Sequence, residues 1–294
     1  MNGQITKIGS IELEPLQADS ARQLVLETKL QSNGGTQSNS WKFWVFPAQK
    51  RNFAGEGIAN LTGVSQLDER YPTADKNKLP HAKLALADKM TPSLLDFIVN
   101  GGSAILLERN ETLSARSRPE MMRFSQRTLA KNASSILNES IGLPFWPRWI
   151  RCNANFIEDH PALRDFPNAG FPDYQMARMF GDTVNAVDFS NADSIARRKM
   201  RPLVWGLNLD DATTPLPNFP LPQEFFYGGM ITEARLGEGK VILCSLWALD
   251  GVIRGYPEAG YLLDCLVDHA LKEPSPSQLP PLTADEARKL FRMQ

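Results

Sequence analysis

Apolar and polar residues alternate along the first part of the chain, which is the pattern of half-buried β-strands. Extended stretches of this kind occupy residues 8–13, 24–28 and 41–47, and a polar, glycine-containing turn is predicted over 32–40. Three strands cannot close a sandwich by themselves, because one apolar face and an edge would stay uncovered. We therefore expect residues 1–47 to be the end of a β-sandwich, or a set of strands that packs on the next part of the chain.

The pattern then changes to strands that are apolar throughout and alternate with helices. Residues 83–87 form a short apolar strand, followed by Thr91 as a helix cap and Pro92 at the first helical position. The helix ends at Gly101, and residues 104–107 form a continuous apolar strand of the type found in parallel sheets. This order predicts a right-handed βαβ unit.

Residues 48–272 as a whole are predicted to be one α/β domain. Its later elements are a helix, a short helix or turn, a strand, a hairpin of two strands and a final helix, at 123–137, 174–180, 203–209, 228–235 with 240–247, and 261–271. A Pro- and Ser-rich linker is predicted over 273–282. The sequence from Thr283 to Glu286 forms a capping box, which opens a terminal helix within 273–294.

Composition and charge exclude several classes of function. The chain has 294 residues, is 42% hydrophobic and carries 32 basic against 33 acidic residues, for a net charge of -1. This balance argues against nucleic acid or an anionic membrane surface as a partner. A run of about 18 apolar residues, as a membrane span needs, is not found, and the first residues do not resemble a signal peptide. We expect a soluble chain. The sequence does not indicate its cell compartment, and a parent protein could be exported.

Four motifs along the chain resemble a known family. They are NSWKFWVFP at 39–47, NGGSAILL at 100–107, HPALRDFP at 160–167 and EARLGEGKVIL at 233–243. In this order they resemble the late part of large bacterial glycoside hydrolases of the family 2 type, the relatives of β-galactosidase and β-glucuronidase. Tyr174-Gln175-Met176 departs from the aromatic-rich stretch of that family.

The resemblance implies a fold and a role. It implies a three-layer α/β domain, flavodoxin-like or glutamine-amidotransferase-like, preceded by a partial β-sandwich. It also implies a non-catalytic accessory module, whose partner is the catalytic domain or subunit of a glycosidase. The catalytic barrel itself is expected to be absent, since it needs about 250 residues.

The sequence contains no convincing nucleophile or pair of catalytic carboxylates. Glutaminase or esterase chemistry requires Cys or Ser on a sharp strand-to-helix turn, and the three cysteines lack that setting. Cys244, in an apolar strand, is predicted to be a buried small hydrophobe. Glycosidases pair two carboxyl groups, but Glu111 and Glu139, each preceded by Asn, have no evident second carboxylate. We predict no catalytic residue and no cofactor, with a divergent hydrolase as an alternative.

The three histidines are far apart in sequence, so no metal site is predicted. His269 is expected to be a surface or helix-capping residue. His160 precedes a proline in a loop, where its ring either stabilises the turn or contacts a ligand or a neighbouring domain.

An oligosaccharide is the other partner that the sequence admits. Trp146 and Trp149 could stack on sugar rings, which would make the chain a carbohydrate-binding module, or they could pack under a long loop. Asp173 is a weaker ligand-binding candidate and equally a turn-forming residue.

Overall fold

The structure is a computed structural model, and it describes most of the α/β region together with a preceding hairpin. The described residues are 9–10, 12, 16, 18–32, 34–47, 51–72, 79–109, 136–137, 141–143, 154–180, 184–210, 224–272, 276 and 278–293. Of the strand predicted over 8–13, only residues 9, 10 and 12 are described, and they are not part of a strand. Most of the predicted helix at 123–137 lies outside the described residues, as do Glu111, Glu139, Trp146 and Trp149.

Eleven strands and seven α-helices are found in the described residues. The strands are β1 (Arg22–Ser32), β2 (Gly35–Val45), β3 (Ile58–Asn60), β4 (Leu84–Ala87), β5 (Ser103–Leu107), β6 (Ile141–Leu143), β7 (Ala154–Ile157), β8 (Val184–Asp188), β9 (Met200–Asp210), β10 (Glu224–Leu236) and β11 (Gly239–Cys244). The helices are α1 (Ser65–Arg70), α2 (Pro92–Val99), α3 (Tyr174–Phe180), α4 (Ile195–Lys199), α5 (Ala248–Ile253), α6 (Pro257–Lys272) and α7 (Ala284–Leu290).

Nine of these strands form one mixed sheet, in the order β3-β4-β5-β11-β10-β8-β6, with β9 paired to β10 and β7. The strands β3, β4, β5 and β11 are parallel to one another. From β10 onwards the pairing is antiparallel. Helices pack on the sheet, so the predicted α/β class is confirmed.

The first βαβ unit forms where the sequence predicts it. The Thr91 side chain accepts a hydrogen bond from the Leu94 amide, and Pro92 occupies the first turn of α2. Gly101 adopts a φ of 102°, which suits glycine after a helix end. Strands β4 and β5 then pair in parallel through Leu84 and Ser103. The predicted hairpin of β10 and β11 also forms, with its turn after Leu236.

The two faces of the sheet carry separate apolar cores. One core is covered mainly by α1, α3, α5 and α6, and includes Leu67, Met176, Leu249 and Leu266. The other core is covered by α2, α4 and α7, and includes Leu95. Burial on both faces explains why β4 is apolar throughout and why β11 is apolar apart from Lys240 near its start.

The β1–β2 hairpin forms a two-stranded sheet of its own. The polar turn predicted over 32–40 is wrong in extent, because β2 already begins at Gly35 and its polar residues pair with β1. Phe46, just after β2, packs against Phe166 and Tyr261 of the α/β domain. The hairpin is therefore joined to the domain at its base.

The C-terminal segment docks on the sheet. The Leu282 amide donates to the Arg235 carbonyl at 2.8 Å, which places the end of the predicted linker beside β10. The capping box of Thr283 and Glu286 is present at the start of α7, as predicted. Phe291 is fully buried and forms a bridge with Leu137. Within the described residues, no helix combines the length and apolar character that crossing a bilayer requires.

Candidate functional site

The carboxyl ends of parallel strands are where open α/β sheets usually bind ligands. In this chain the polar residues at that edge bind mainly one another. Asn60, at the end of β3, donates from Nδ2 to the Val64 carbonyl and to Asp68 Oδ1, both at 3.0 Å. Glu108, just after β5, accepts from Asn185 Nδ2 at 2.6 Å. These contacts hold the loops together.

The residues at the ends of β5 and β11 do not form an activated nucleophile. Cys244, the last residue of β11, is fully buried, as predicted, and burial raises the pKa of its thiol to about 12. The Ser245 hydroxyl is buried and makes no hydrogen bond with any described residue. A nucleophilic Ser or Cys requires an adjacent base, and two of the three histidines are instead bound to a carboxylate elsewhere in the domain.

These two histidines and Glu233 form a buried cluster, which we call the His–Glu–His cluster. Glu233 lies in β10, His160 lies before the 3-10 turn of residues 161–163, and His269 lies in α6. The Nε2 atom of His160 is 3.2 Å from Glu233 Oε1, and the Nε2 atom of His269 is 3.2 Å from Glu233 Oε2. The side chains are 7%, 2% and 6% exposed for His160, Glu233 and His269. This is a convergence of side chains from three distant elements.

The hydrogen bonds of His160 define its tautomer. Its Nδ1 atom accepts from the Ala162 amide at 3.3 Å, so the ring proton resides on Nε2 and points to Glu233. The ring therefore caps the 3-10 turn of residues 161–163, which is a turn-stabilising role of the kind predicted as one of its two alternatives. The rings of His160 and His269 meet edge to face, with centroids 5.1 Å apart.

The histidines keep Glu233 ionised. Burial by itself would raise the pKa of this carboxyl group, but the hydrogen bonds from His160 and His269 outweigh burial and hold the pKa well below its ordinary value of 4.5. Arg201 Nη1 lies 3.5 Å from Glu233 Oε1 and adds positive charge from the exposed side. Lys240 donates from Nζ to the His269 carbonyl at 3.1 Å. His269 Nδ1 is buried and makes no hydrogen bond among the described residues.

Sequence reasoning missed this cluster. His269 was expected at the surface or at a helix cap, and that expectation is wrong, because α6 turns it towards the sheet. The argument against a metal site from separation along the chain also fails, since folding brings these residues together: their possible ligand atoms lie within 4.8 Å of one another. The sequence around Glu233 offered no clear signal, because β10 also carries the polar residue Thr232 and the charged residue Arg235.

Another buried carboxylate, Asp264 in α6, holds two helices of the domain together. Asp264 accepts from Arg70 Nε at 2.8 Å and Nη2 at 2.6 Å, and from the Tyr71 hydroxyl at 2.9 Å. This arrangement links α6 to the end of α1. Both carboxylate oxygens are engaged by structural partners, so this carboxylate is not available to a ligand.

An open groove of about 1120 Å³ lies at the amino ends of the parallel strands. Its lining includes Lys83, Asp96, Phe97, Ser103 and Glu238. This is the edge opposite to the one where sheets of this kind usually bind ligands. Among the described residues of its wall, no three His, Cys, Asp or Glu side chains lie close enough together to hold a metal ion.

Asp173 has a structural position. Its Oδ1 atom accepts from the Tyr174 amide at 2.8 Å, and its carbonyl accepts from the Met176 amide at 2.9 Å. Asp173 thus lies in the turn immediately before α3, as expected for a turn-forming residue. Trp146 and Trp149 lie outside the described residues, so their role as sugar ligands stays a prediction.

Comparison with known proteins does not identify the chain. No protein-family model matches the sequence, and no curated protein matches it at a significant level.

Proposed function

We propose that this chain is a non-catalytic module of a larger glycoside hydrolase, in which a flavodoxin-like or amidotransferase-like α/β domain supports the assembly of domains or subunits. Its partner is the catalytic domain or subunit of that enzyme. The four family 2-type motifs support this assignment by resemblance, and the β1–β2 hairpin supports it physically.

The observation that carries the proposal is the apolar face of the hairpin, on which Trp41 is exposed while Leu24, Leu26 and Phe43 are half-buried. Leu24 is opposite Phe43, and Leu26 is opposite Trp41, so all four side chains lie on one face of the ribbon. Trp41 is 47% exposed. Two-stranded ribbons are marginally stable in water unless their apolar face is covered. A β-sandwich completed by a neighbouring domain or subunit would cover this face.

The residues at the carboxyl edge of the sheet support a non-catalytic role. The two histidines of the His–Glu–His cluster are committed to Glu233, and His81, the third histidine, lies in the 3-10 turn before β4, at the amino end of the sheet. Without a nearby histidine, neither Cys244 nor Ser245 has the imidazole base that hydrolases of this layout use.

A row of aromatic rings favours oligosaccharide binding as a second candidate function. Phe156 stacks on Trp205 at 4.4 Å between centroids, and Tyr227 meets Trp205 edge to face at 4.8 Å. The rings are partly exposed. Glu158 accepts a hydrogen bond from Trp205 Nε1 at 2.5 Å, and Arg197 lies over the Tyr227 ring. Rings flanked by polar groups suit the apolar and hydroxyl faces of sugars.

The assembly proposal is tested by co-purification. The gene next to this one is examined for a barrel with two catalytic glutamates, and its product is expressed with the chain. Leu26→Asp places a charge on the apolar face of the hairpin and is expected to weaken association about tenfold or more. Val25→Asp is the matched control, because Val25 is 52% exposed and faces the opposite side.

Equal association of the two variants would contradict the proposal, as would a failure of the wild-type chain to bind the catalytic protein. The sugar-binding candidate is tested separately by calorimetric titration of wild type and Trp205→Ala with β-linked oligosaccharides. Saturable binding that Trp205→Ala abolishes would establish that function, and no heat of binding to the wild type would exclude it for the sugars tried.

A further inference from the structure

We infer that the His–Glu–His cluster binds a divalent first-row transition-metal ion, with Zn²⁺ as the type of ion it fits. The donors are Nε2 of His160, Nε2 of His269 and a carboxylate oxygen of Glu233. Two imidazoles with one carboxylate form a donor set that proteins use for zinc and for ferrous iron.

The distances within the cluster suit such an ion. Zinc binds nitrogen and carboxylate oxygen at about 2.0–2.1 Å, so two ligands of a tetrahedral ion lie roughly 3.3 Å apart. Each histidine Nε2 is 3.2 Å from its own oxygen of Glu233. All possible ligand atoms lie within 4.8 Å of one another, so small side-chain rotations are enough to bring them around one ion.

Burial and charge favour a cation in this position. An ionised carboxylate that is 2% exposed needs strong compensation, because water is excluded from it. The hydrogen bonds from the two histidine rings supply this only in part, and Arg201 approaches one oxygen at 3.5 Å from a side chain that is 47% exposed. A divalent ion between the three side chains would supply that compensation, and Arg201 is exposed enough to move outwards.

Two contacts oppose binding and limit the affinity. The His160 proton must move from Nε2 to Nδ1, where it meets the Ala162 amide that now donates to Nδ1 at 3.3 Å. Lys240, which donates to the His269 carbonyl, adds positive charge near the ion. The turn at Ala162 therefore has to shift when the metal binds, and this shift can be observed.

The site is structural in character. Its ligands come from the loop before the 3-10 turn, from β10 and from α6, and all three are nearly inaccessible to solvent. A catalytic metal needs an open position for water or substrate. We expect the ion to fasten these three elements together.

The test is titration of the full chain with Zn²⁺ by calorimetry and with Co²⁺ by visible absorption, after treatment with EDTA. We expect one ion per chain and a rise in Tm. Glu233→Gln and His269→Gln are each expected to weaken binding about tenfold or more. His81→Gln is the matched control, because His81 is the remaining histidine and is exposed.

Measurements on the wild type keep the test decisive if a cluster variant does not fold. X-ray absorption of the zinc-loaded chain is expected to give nitrogen and oxygen ligands without sulfur, and the Ala162 amide resonance is expected to move during titration. Absence of binding overturns the inference. So does sulfur among the ligands, or binding that His81→Gln weakens and the cluster variants leave unchanged.

Discussion

Glu233 and His269 lie 36 residues apart in the chain, and in the fold Glu233 Oε2 is 3.2 Å from His269 Nε2. The contact joins β10 to α6 across the core that covers one face of the sheet. It helps to keep ionised a carboxylate whose side chain is only 2% exposed. Whether or not a metal is bound, this buried charge makes the domain sensitive to substitution at either residue.

Removal of the Glu233 carboxylate is expected to destabilise the domain strongly. Glu233→Ala leaves two buried imidazole N–H groups without an acceptor, and breaking a buried charged network costs about 3–5 kcal/mol. Glu233→Gln keeps one acceptor oxygen and is expected to cost less, about 1–2 kcal/mol. Urea unfolding in the presence of EDTA measures both. A loss below about 1 kcal/mol for Glu233→Ala would show that water satisfies the histidines.

Gly239 is expected to tolerate no side chain. A Cβ atom there would lie 2.1 Å from the Ile98 carbonyl oxygen and 2.2 Å from that of Gly102, so α2 and β11 could not pack as they do. We expect Gly239→Ala to cost about 3 kcal/mol in urea unfolding.

Gly63→Ala is the matched control for this close approach. Its Cβ meets nothing within 4 Å, but its φ is 71°, so only backbone strain of about 1 kcal/mol is expected. Equal losses for the two variants would mean that the contact between α2 and β11 is loose.

Cys244 and Cys265 are expected to be unreactive in the folded protein. Burial raises the pKa of both thiols to about 12, so the thiolate that reacts with alkylating reagents is scarce at about pH 8. Iodoacetamide labelling followed by peptide mass spectrometry measures each position separately. Labelling is expected only after denaturant is added. Rapid labelling of Cys244 in the native chain would instead place a reactive thiol at the carboxyl edge of the sheet.

Attachment of the C-terminal helix is expected to weaken in acid. Lys199 and the Thr283 amide each donate a hydrogen bond to the Glu286 carboxylate. Together they lower the pKa of Glu286 from 4.5 to about 2. Because the pKa is lower in the folded state, the stabilisation is present above pH 4.5 and is lost as the pH falls from 4.5 towards 2.

Carbon-13 NMR titration of the Glu286 carboxyl group measures this directly. Lys199→Met is expected to raise the pKa of Glu286 towards 4.5, since Lys199 Nζ lies 2.7 Å from the carboxylate. Arg288→Met is the control, because Arg288 pairs with Asp285 and not with Glu286. A Glu286 pKa near 4.5 in the wild type would mean that α7 is not held by this pair.

Local sequence determined the elements whose signals come from neighbouring residues. The cap at Thr91, the capping box at Thr283 and the hairpin turn after Leu236 were predictable, because a few adjacent residues fix each backbone conformation. The continuous apolar strands likewise indicated an α/β sheet covered on both faces.

The tertiary structure alone decided which polar groups meet. His160, Glu233 and His269 carry no shared spacing, and they converge because β10 and α6 pack across one core. His269 was misplaced at the surface for the same reason: a helix pattern gives the apolar face, but not which polar residue at its end finds a buried partner. Long-range contacts of this kind depend on the packing of whole elements, which local patterns do not encode.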